Sequence, residues 1–490
     1  MVIFPLGALA VLSVAPALYW WRSAPRNIVC PLSIVGGSML LYGVIGTILA
    51  GTDMTAMLIG EQAANVLPFA LWLFVAGYLG FATGYLLPPR AVPLRTPAPI
   101  WPKTRVDLGI VLLAGIAWGV RLYAASKGIA IPRYVIDGGA GLSAIYLIPN
   151  PIVLTLFLRA NVLSWAAIAL CFVAHLRRSK THTSVGTNRW AYMGVALGLL
   201  EVLYFAGITL SNAPIIGLAL VVFTVVTLAG RPPIKLAVSF AIIFALVVMP
   251  FVARVKGVYA SGLGGGGLSQ LLVLVTEILP QAAGDVIGGE VVPFQDYLGH
   301  STRLSALDYA AFLVEAEEVR GIPPAGAAPL IGALFGLVPR LIWPGKPLAF
   351  VATSDLKDHF GILGYDPANA NDVVVSPLAE LYAFLGPLGT IVGMFVLGLL
   401  ARAVYHFLVE RHDARWNSGI VIYSTLAYEL FFVERGVVGG IAPLRDAVLL
   451  WVFLTVVVDG GLSTSGAKSA SLQTRTRLRQ FEAVKGHAKS

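Results

Sequence analysis

Runs of roughly twenty apolar residues recur along the chain and are separated by short polar segments. At a rise of about 1.5 Å per residue, a helix of that length crosses the roughly 30 Å hydrocarbon core of a bilayer. The runs are continuous and do not alternate with polar residues, which disfavours a transmembrane β-barrel. The pattern therefore predicts an all-α polytopic membrane protein with about 11 transmembrane helices. The predicted spans are 2–21, 29–50, 64–87, 107–126, 152–176, 190–210, 213–230, 235–252, 379–409, 417–435 and 440–458.

The first apolar run is predicted to be a retained span. No basic residue precedes it, and Arg22 and Arg26 follow it. A cleaved signal peptide instead carries its basic residues in front of the apolar run.

Lysine and arginine residues are concentrated in alternate loops, and such residues are enriched on the cytoplasmic side of membrane proteins. Their distribution predicts a protein of the plasma (inner) membrane with its N-terminus outside and its C-terminus in the cytoplasm. This topology accounts for the formal net charge of +9, so the charge does not indicate nucleic-acid binding. The basic tail at 459–490 is expected to contact membrane lipids.

One connection is far longer than a simple linker needs to be. The segment 253–377 lies on the predicted outer side, carries twelve of the 25 acidic residues, and contains two apolar stretches at 268–283 and 325–338. We predict that it is a functional region against the outer membrane surface. The chain then divides into helices 1–8 (1–252), the external loop (253–377), helices 9–11 (378–458) and the cytoplasmic tail (459–490).

Composition limits the chemistry that the chain can support. Only 12% of the residues are charged, about half of what a soluble protein carries. Cys30 and Cys171 lie far apart in apolar segments, and the sequence has no HExxH, CxxC or GxSxG motif. We therefore expect no metal site and no cofactor, and chemistry that depends on charged side chains.

Ionisable residues within the spans are concentrated toward the predicted outer side. Because such residues are costly in a bilayer, they usually pair with each other or line a polar cavity. Their shared depth predicts a polar cavity that opens outward beneath the large loop. The alternative is a set of interfacial ion pairs and long side chains that reach the headgroups. The residues are Arg121, Arg159, Glu201, Glu380, Glu429, Glu434, Arg435, Arg445 and Asp446.

Four segments between Arg303 and Arg402 resemble the Wzy-type polymerases of bacterial O-antigen and exopolysaccharide repeat units. In that family the external loop carries an arginine, a "PRxxWPxKP"-like segment and an "FG" stretch, and an "E-x-Y" then begins a glycine-rich span. Here they read "STRLSALDYAAFL", "VPRLIWPGKP", "HFGILGYDP" and "SPLAELYAFLGPLGTIVGMFVLGLLAR". The match covers about a fifth of the chain. It departs from the family at "GYDPANANDVVV", which is poor in serine and threonine and leaves the donor sugar open.

The resemblance implies a GT-C-like membrane glycosyltransferase. Such an enzyme transfers a growing glycan from a polyprenyl diphosphate to a hydroxyl of the next lipid-linked oligosaccharide. A flippase and a chain-length regulator are expected partners. Two alternatives stay open: an O-antigen ligase of the same architecture, and a polysaccharide transporter or flippase, although the chain shows no clear internal repeat of the kind typical of transporters.

Candidate site residues follow from the resemblance together with the chemistry. A guanidinium group stabilises the charge that develops on a leaving diphosphate, and an acceptor hydroxyl needs a base. The catalytic candidates are Arg340, Glu380 and His359. The substrate-binding candidates are Arg303, Lys346, Trp343, Arg121, Arg159, Tyr382 and Arg435.

Each role has a structural alternative. The prolines of "VPRLIWPGKP" restrict the backbone around Arg340 and Lys346, but they also suit a stiff re-entry turn with Trp343 at the headgroups. Glu380 is either a base or a helix-start acid favoured by the helix dipole. His359 is either a base or a hydrogen-bonded loop residue.

Overall fold

Every regular element in the described part of the chain is a helix. The structure is a computed structural model that describes residues 2–50, 63–87, 101–127, 148, 150–179, 188–205, 213–230, 232–244, 248, 251, 276–277, 280–281, 284, 306–338, 343, 359–360, 376–410, 417–431 and 436–459. The helices are α1 Ile3–Ser23, α2 Pro31–Ser38, α3 Gly46–Ala50, α4 Ala63–Leu86, α5 Lys103–Ser126, α6 Pro151–Leu158, α7 Ala160–Ser179, α8 Asn188–Leu203, α9 Ala213–Ala229, α10 Ile234–Ile243, α11 Ala306–Glu318, α12 Ala328–Leu334, α13 Pro377–Tyr405, α14 Asn417–Phe431 and α15 Gly436–Val457. The prediction of an all-α membrane protein is confirmed at this level.

Five helices of the described residues are long and apolar enough to cross a bilayer. They are Ile3–Ser23, Pro31–Ile48, Asn65–Leu86, Lys103–Ser126 and Pro377–Glu410. Shorter apolar helices occupy Ala160–Leu176, Pro214–Ala229, Ile234–Ile243 and Ser418–Tyr428. A helix therefore lies in each of these predicted spans, while the full set of eleven crossings stays a prediction.

Contacts between helices show their relative directions. Leu9 and Ser13 of α1 face Gly43 and Gly36, so the first two predicted spans are antiparallel. Gly80 and Gly84 of α4 face Ile391 and Phe395 of α13. Residue numbers rise together along this second pair, so the third and ninth predicted spans are parallel, as alternating crossings require.

Glycines allow α4 and α13 to pack with their backbones in contact. A Cβ atom at Gly80 would lie 2.7 Å from the carbonyl oxygen of Ile391, and one at Gly84 would overlap the carbonyl oxygen of Phe395. From the other side, a Cβ at Gly398 would overlap the carbonyl oxygen of Phe81. Small residues at such crossings are a common basis of helix association in membranes, and Gly398 has this packing role here.

The helix α13 is broken at Gly386, which corrects the predicted continuous span 379–409. Gly386 has φ of 69° and ψ of −167°, a conformation that is nearly exclusive to glycine, and Pro387 supplies no backbone N–H. Leu381 packs on Gly393, whereas twelve residues of straight helix would separate them by about 18 Å. The two segments therefore fold toward each other, and the part of Pro377–Glu410 that follows the break, residues 387–410, is by itself long enough to cross a bilayer.

The described part of the long connection 253–377 packs into the helix bundle. The helix α11 contacts α4 and α13, and its buried residues include Leu307, Ala311 and Leu313. After α11, the backbone N–H groups of Ala325 and Gly326 donate to the carbonyl oxygens of Ala383 and Phe384. These two carbonyls lie just before the break in α13, so the loop satisfies acceptors that the interrupted helix leaves open.

The predicted apolar stretch 325–338 forms α12 and the 3₁₀ turn Phe335–Leu337, and both contact α15. Most of the other predicted stretch, 268–283, lies outside the described residues. A further break separates α6 from α7 at Arg159, so the predicted span 152–176 consists of two helices.

Candidate functional site

Arg121 and Glu201 form an ion pair inside the bundle. Their side chains are 3% and 0% exposed, and Nη1 of Arg121 donates to Oε1 of Glu201 while Nη2 lies 3.0 Å from Oε2. This two-point contact joins α5 to α8. Two charges removed from water are stable only when they are well paired, and this pair meets that condition.

Polar and aromatic groups complete the surroundings of the pair. Nη2 of Arg121 donates to Oδ1 of Asn161 at 2.8 Å, and Oγ of Ser164 donates to Oε1 of Glu201 at 2.7 Å. The guanidinium also lies over the rings of Trp118, Tyr204 and Phe205, with its Cζ atom 4.4 to 5.6 Å from the ring centroids. These contacts enclose Arg121, so in this conformation it is a core residue and not an open ligand for substrate.

A second charged cluster lies at the junction of α6 and α7. Nε of Arg159 is 2.8 Å from Oδ2 of Asp446, although the two atoms are out of line for a hydrogen bond. Nε and Nη2 of Arg445 lie 3.1 and 3.0 Å from Oδ1 of the same Asp446. Both arginines therefore share one carboxylate. We name these three residues the arginine–aspartate triad.

The two clusters lie at one level of the bundle. Gly109 of α5 faces Val458 at the end of α15. Arg121 follows Gly109 by twelve residues and Asp446 precedes Val458 by twelve, so both lie about 18 Å along their helices from that contact. Asn161, which binds Arg121, is two residues from Arg159. Arg121, Arg159 and Asp446 therefore lie at one level of the bundle, as the prediction of a common depth requires.

Glu380 binds the beginning of α15. Its side chain is buried, and Oε2 accepts a hydrogen bond from the backbone N–H of Val437. A Cβ at Gly436, whose φ is 62°, would come within 2.6 Å of the same oxygen. The carboxylate thus lies at the N-terminus of α15 and also in the first turn of its own helix α13, and negative charge is favoured at both places.

Two buried tyrosines lie close to acidic groups near the break in α13. Burial raises the pKa of Tyr309, and the charge of Glu380 raises it further. The hydroxyl of Tyr382 is buried in the vicinity of Glu317, whose carboxylate also approaches Gly386. The end of α13 that carries Glu380 therefore combines carboxylates with phenolic hydroxyls.

His359 belongs to the same region. Its Nε2 lies 2.7 Å from the carbonyl oxygen of Pro323, two residues before the contact of Ala325 with α13. A carbonyl oxygen only accepts, so Nε2 carries the proton and Nδ1 is the nitrogen able to take up another. Arg320 holds the neighbouring residue by donating to the carbonyl oxygen of Phe360.

Trp343 is the described residue of the "VPRLIWPGKP" segment that has a ring contact. Its ring packs edge-on against Phe335, with the centroids 5.6 Å apart, and 40% of the residue is exposed. The turn that contains Phe335 contacts α15. Four other predicted site residues lie outside the described residues: Arg303, Arg340, Lys346 and Arg435.

Asn161 and Ser164 were missed by the sequence reasoning. Both are neutral, so a search for charges within spans passes over them, although a polar residue three positions from another on an apolar helix is a usable signal. The other end of the bundle holds comparable contacts: Ser418 and Trp101 donate to Asp459, and Trp190 donates to Asp107. Among the described residues, no group of three metal-ligating side chains occurs.

Comparison with family models, with curated proteins and with solved structures finds no match to this chain.

Proposed function

We propose that this chain is a membrane-embedded glycosyltransferase that polymerises polyprenyl-diphosphate-linked oligosaccharide repeat units into surface polysaccharide on the outer face of the plasma membrane. The GT-C-like architecture, the orientation with the C-terminus in the cytoplasm, and the partnership with a flippase and a chain-length regulator belong to this proposal.

The proposed reaction exchanges one bond to the anomeric carbon for another. The bond from that carbon to the diphosphate oxygen breaks, and the diphosphate leaves with the electron pair. The hydroxyl oxygen of the acceptor sugar forms the new bond, and its proton passes to a base. The reaction thus needs cationic groups at the diphosphate and a proton acceptor at the hydroxyl.

The observation that carries the proposal is the location of the loop segments that follow the family pattern. Residues 306–313 of the first segment lie in α11, which contacts α13, the helix of Glu380. Trp343 of the second segment packs on Phe335, whose turn contacts α15, the helix of Arg445 and Asp446. The described parts of these segments therefore lie close to the helices that carry Glu380, Arg445 and Asp446, and they include His359. Such a set of groups suits transfer from an anionic lipid.

In the proposed mechanism, Arg340 grips the leaving diphosphate, assisted by Arg303, Lys346 and Arg435. His359, through Nδ1, or Glu380 accepts the proton. The contact between Glu380 and the N–H of Val437 occupies one carboxylate oxygen, which favours His359 for this step and gives Glu380 the task of holding α15. Trp343, which is 40% exposed, offers a ring face to sugars, whereas Tyr382 is 1% exposed and is a core residue rather than the predicted sugar contact.

Deletion of the gene in its host, followed by gel electrophoresis of the surface polysaccharide, tests this proposal. We expect single-repeat products, and a full ladder when the parent chain or Arg189→Ala is supplied. Arg189 belongs to an exposed ion pair with Asp107, away from the proposed site. Arg340→Ala is expected to leave single repeats. Loss of all glycan-capped lipid would favour a ligase, and accumulation of repeat units on the cytoplasmic side would favour a flippase; either result contradicts the proposal.

A further inference from the structure

The two clusters at the common level of the bundle differ in their access to ligands. Arg121 is 3% exposed and is enclosed by Glu201, Asn161 and three aromatic rings. Arg159 is 28% exposed and Arg445 is 12% exposed. The first cluster is closed within the core, and the arginine–aspartate triad extends to the surface of the bundle.

We propose that the arginine–aspartate triad is a binding site for the diphosphate headgroup of a lipid, with Arg159 and Arg445 as the ligands and Asp446 as the positioning residue. The identity of the lipid rests on the proposed function. The site itself rests on the geometry of the triad and on the surface around it.

Asp446 fixes the directions of both guanidinium groups. It faces Nε of Arg159 with one oxygen and Nε and Nη2 of Arg445 with the other. Guanidinium groups are planar and bind phosphate oxygens through two parallel N–H bonds. Two guanidinium groups held by one carboxylate match the two linked phosphates of a diphosphate better than they match a single phosphate.

The surface beside the triad is apolar and exposed. Ile152, two helical turns before Arg159, is 49% exposed. Leu444 and Val448, on either side of Arg445 and Asp446, are 38% and 57% exposed. A ligand with a hydrocarbon chain and an anionic headgroup contacts the apolar residues with its chain and the arginines with its headgroup. A soluble phosphate would use only the arginines.

Binding to the purified full-length chain in detergent separates these ligands. The probes are a polyprenyl diphosphate, the matching polyprenyl monophosphate, phosphatidylglycerol and inorganic diphosphate, measured by thermal shift and by native mass spectrometry. We expect the polyprenyl diphosphate to bind at least about tenfold more tightly than each of the other three. Arg159→Gln and Arg445→Gln should each weaken that binding by about 10- to 100-fold, as loss of a charge-assisted hydrogen bond predicts.

The ratio of diphosphate to monophosphate affinity distinguishes a ligand site from a structural ion cluster. Arg159→Gln, Arg445→Gln and Asp446→Asn should lower this ratio, whereas Arg402→Gln should not change it. Arg402 pairs with Glu410 in α13 and the turn after it. If Arg159→Gln fails to fold, Arg159→Lys is the alternative variant, because it keeps the positive charge. It should also lower the ratio, because an ammonium group cannot form two parallel N–H bonds.

Unchanged affinity and an unchanged ratio in folded Arg159→Lys and Arg445→Lys would overturn the site. Equal affinity for inorganic diphosphate or phosphatidylglycerol would overturn its assignment to a lipid diphosphate. If the site binds as expected but the chain forms no polymer from lipid-linked repeat units, the proposed function fails and the binding site stands.

Discussion

The pair of Arg121 and Glu201 shows how one residue's surroundings decide its role. Arg121 was a candidate for substrate binding because it is an arginine near the end of an apolar span. In the structure, its guanidinium already has a carboxylate, an amide oxygen and three rings as neighbours. A buried ion pair of this kind stabilises a fold mainly because removal of one partner leaves the other charge uncompensated.

Arg121→Gln and Glu201→Gln are therefore each expected to lower the free energy of unfolding by about 3–5 kcal/mol. The double variant Arg121→Met with Glu201→Met should lose less than the sum of the single losses, because no isolated charge remains. Arg189→Gln is the matched control, since Arg189 and Asp107 are 43% and 36% exposed and such pairs contribute about 0–1 kcal/mol. Additive losses in a denaturation series would show that the pair is not coupled.

Arg340 and Lys346 are expected to differ in how they act on the substrate. If Arg340 holds the leaving diphosphate with two parallel N–H bonds, Arg340→Lys keeps the charge but loses the pair of parallel donors. The rate should then fall roughly 30- to 150-fold, the equivalent of one charge-assisted hydrogen bond. Lys346, between Gly345 and Pro347, is proposed to act as a point charge, so Lys346→Arg should retain most of the activity. Wild-type rates for purified Arg340→Lys, at matched thermal stability, would reduce Arg340 to a simple positive charge.

At the scale of elements, α4 and α13 form the closest helix crossing that the glycines identify. Gly84 faces the backbone of Phe395 and Leu399 with no space for a methyl group. Gly115 of α5 has nothing within 4 Å of where its Cβ would lie. The two residues are both helical glycines, so they differ mainly in the space around them.

Gly84→Ala is expected to separate the two helices and to lower the free energy of unfolding by about 1–3 kcal/mol, as overpacking does in tightly packed cores. Gly115→Ala should leave it unchanged or raise it by up to about 1 kcal/mol, because alanine favours helix over glycine. Thermal unfolding of the two variants beside the parent compares them directly. A Gly84→Ala variant as stable as the parent would contradict the close crossing.

The break in α13 and the helix α11 had weaker signals in the sequence. "FLGPLG" places a glycine before a proline inside an apolar run, which marks a helix interruption, but the run on both sides reads as one span. Tyr309 to Val314 of α11 are all buried, and the helix packs on α4 and α13, which lie far away in sequence. Contacts with distant parts of the chain determine both the break in α13 and the position of α11.

At the scale of the whole molecule, the helices follow the apolar runs. A segment that crosses a bilayer must be apolar and must satisfy its backbone hydrogen bonds within itself, which a helix does. The common level of the charges was also predictable, since a rise of about 1.5 Å per residue converts sequence position to depth. The partner of each charged residue was not predictable. Arg121 meets Glu201 and Arg159 meets Asp446 across 80 and 287 residues, and the order in which helices pack around each other determines these pairs.

We propose that this chain joins lipid-linked repeat units without the help of another protein. The most direct measurement uses the purified full-length protein in proteoliposomes with a defined polyprenyl-diphosphate-linked oligosaccharide, in the presence of a metal chelator. Products are separated by chain length and analysed by mass spectrometry. We expect a ladder of polymers on a single polyprenyl diphosphate, release of one polyprenyl diphosphate per bond formed, and no ladder with Arg340→Ala. Absence of any new glycosidic bond with folded protein, or transfer only to a lipid that carries no repeat unit, would contradict it.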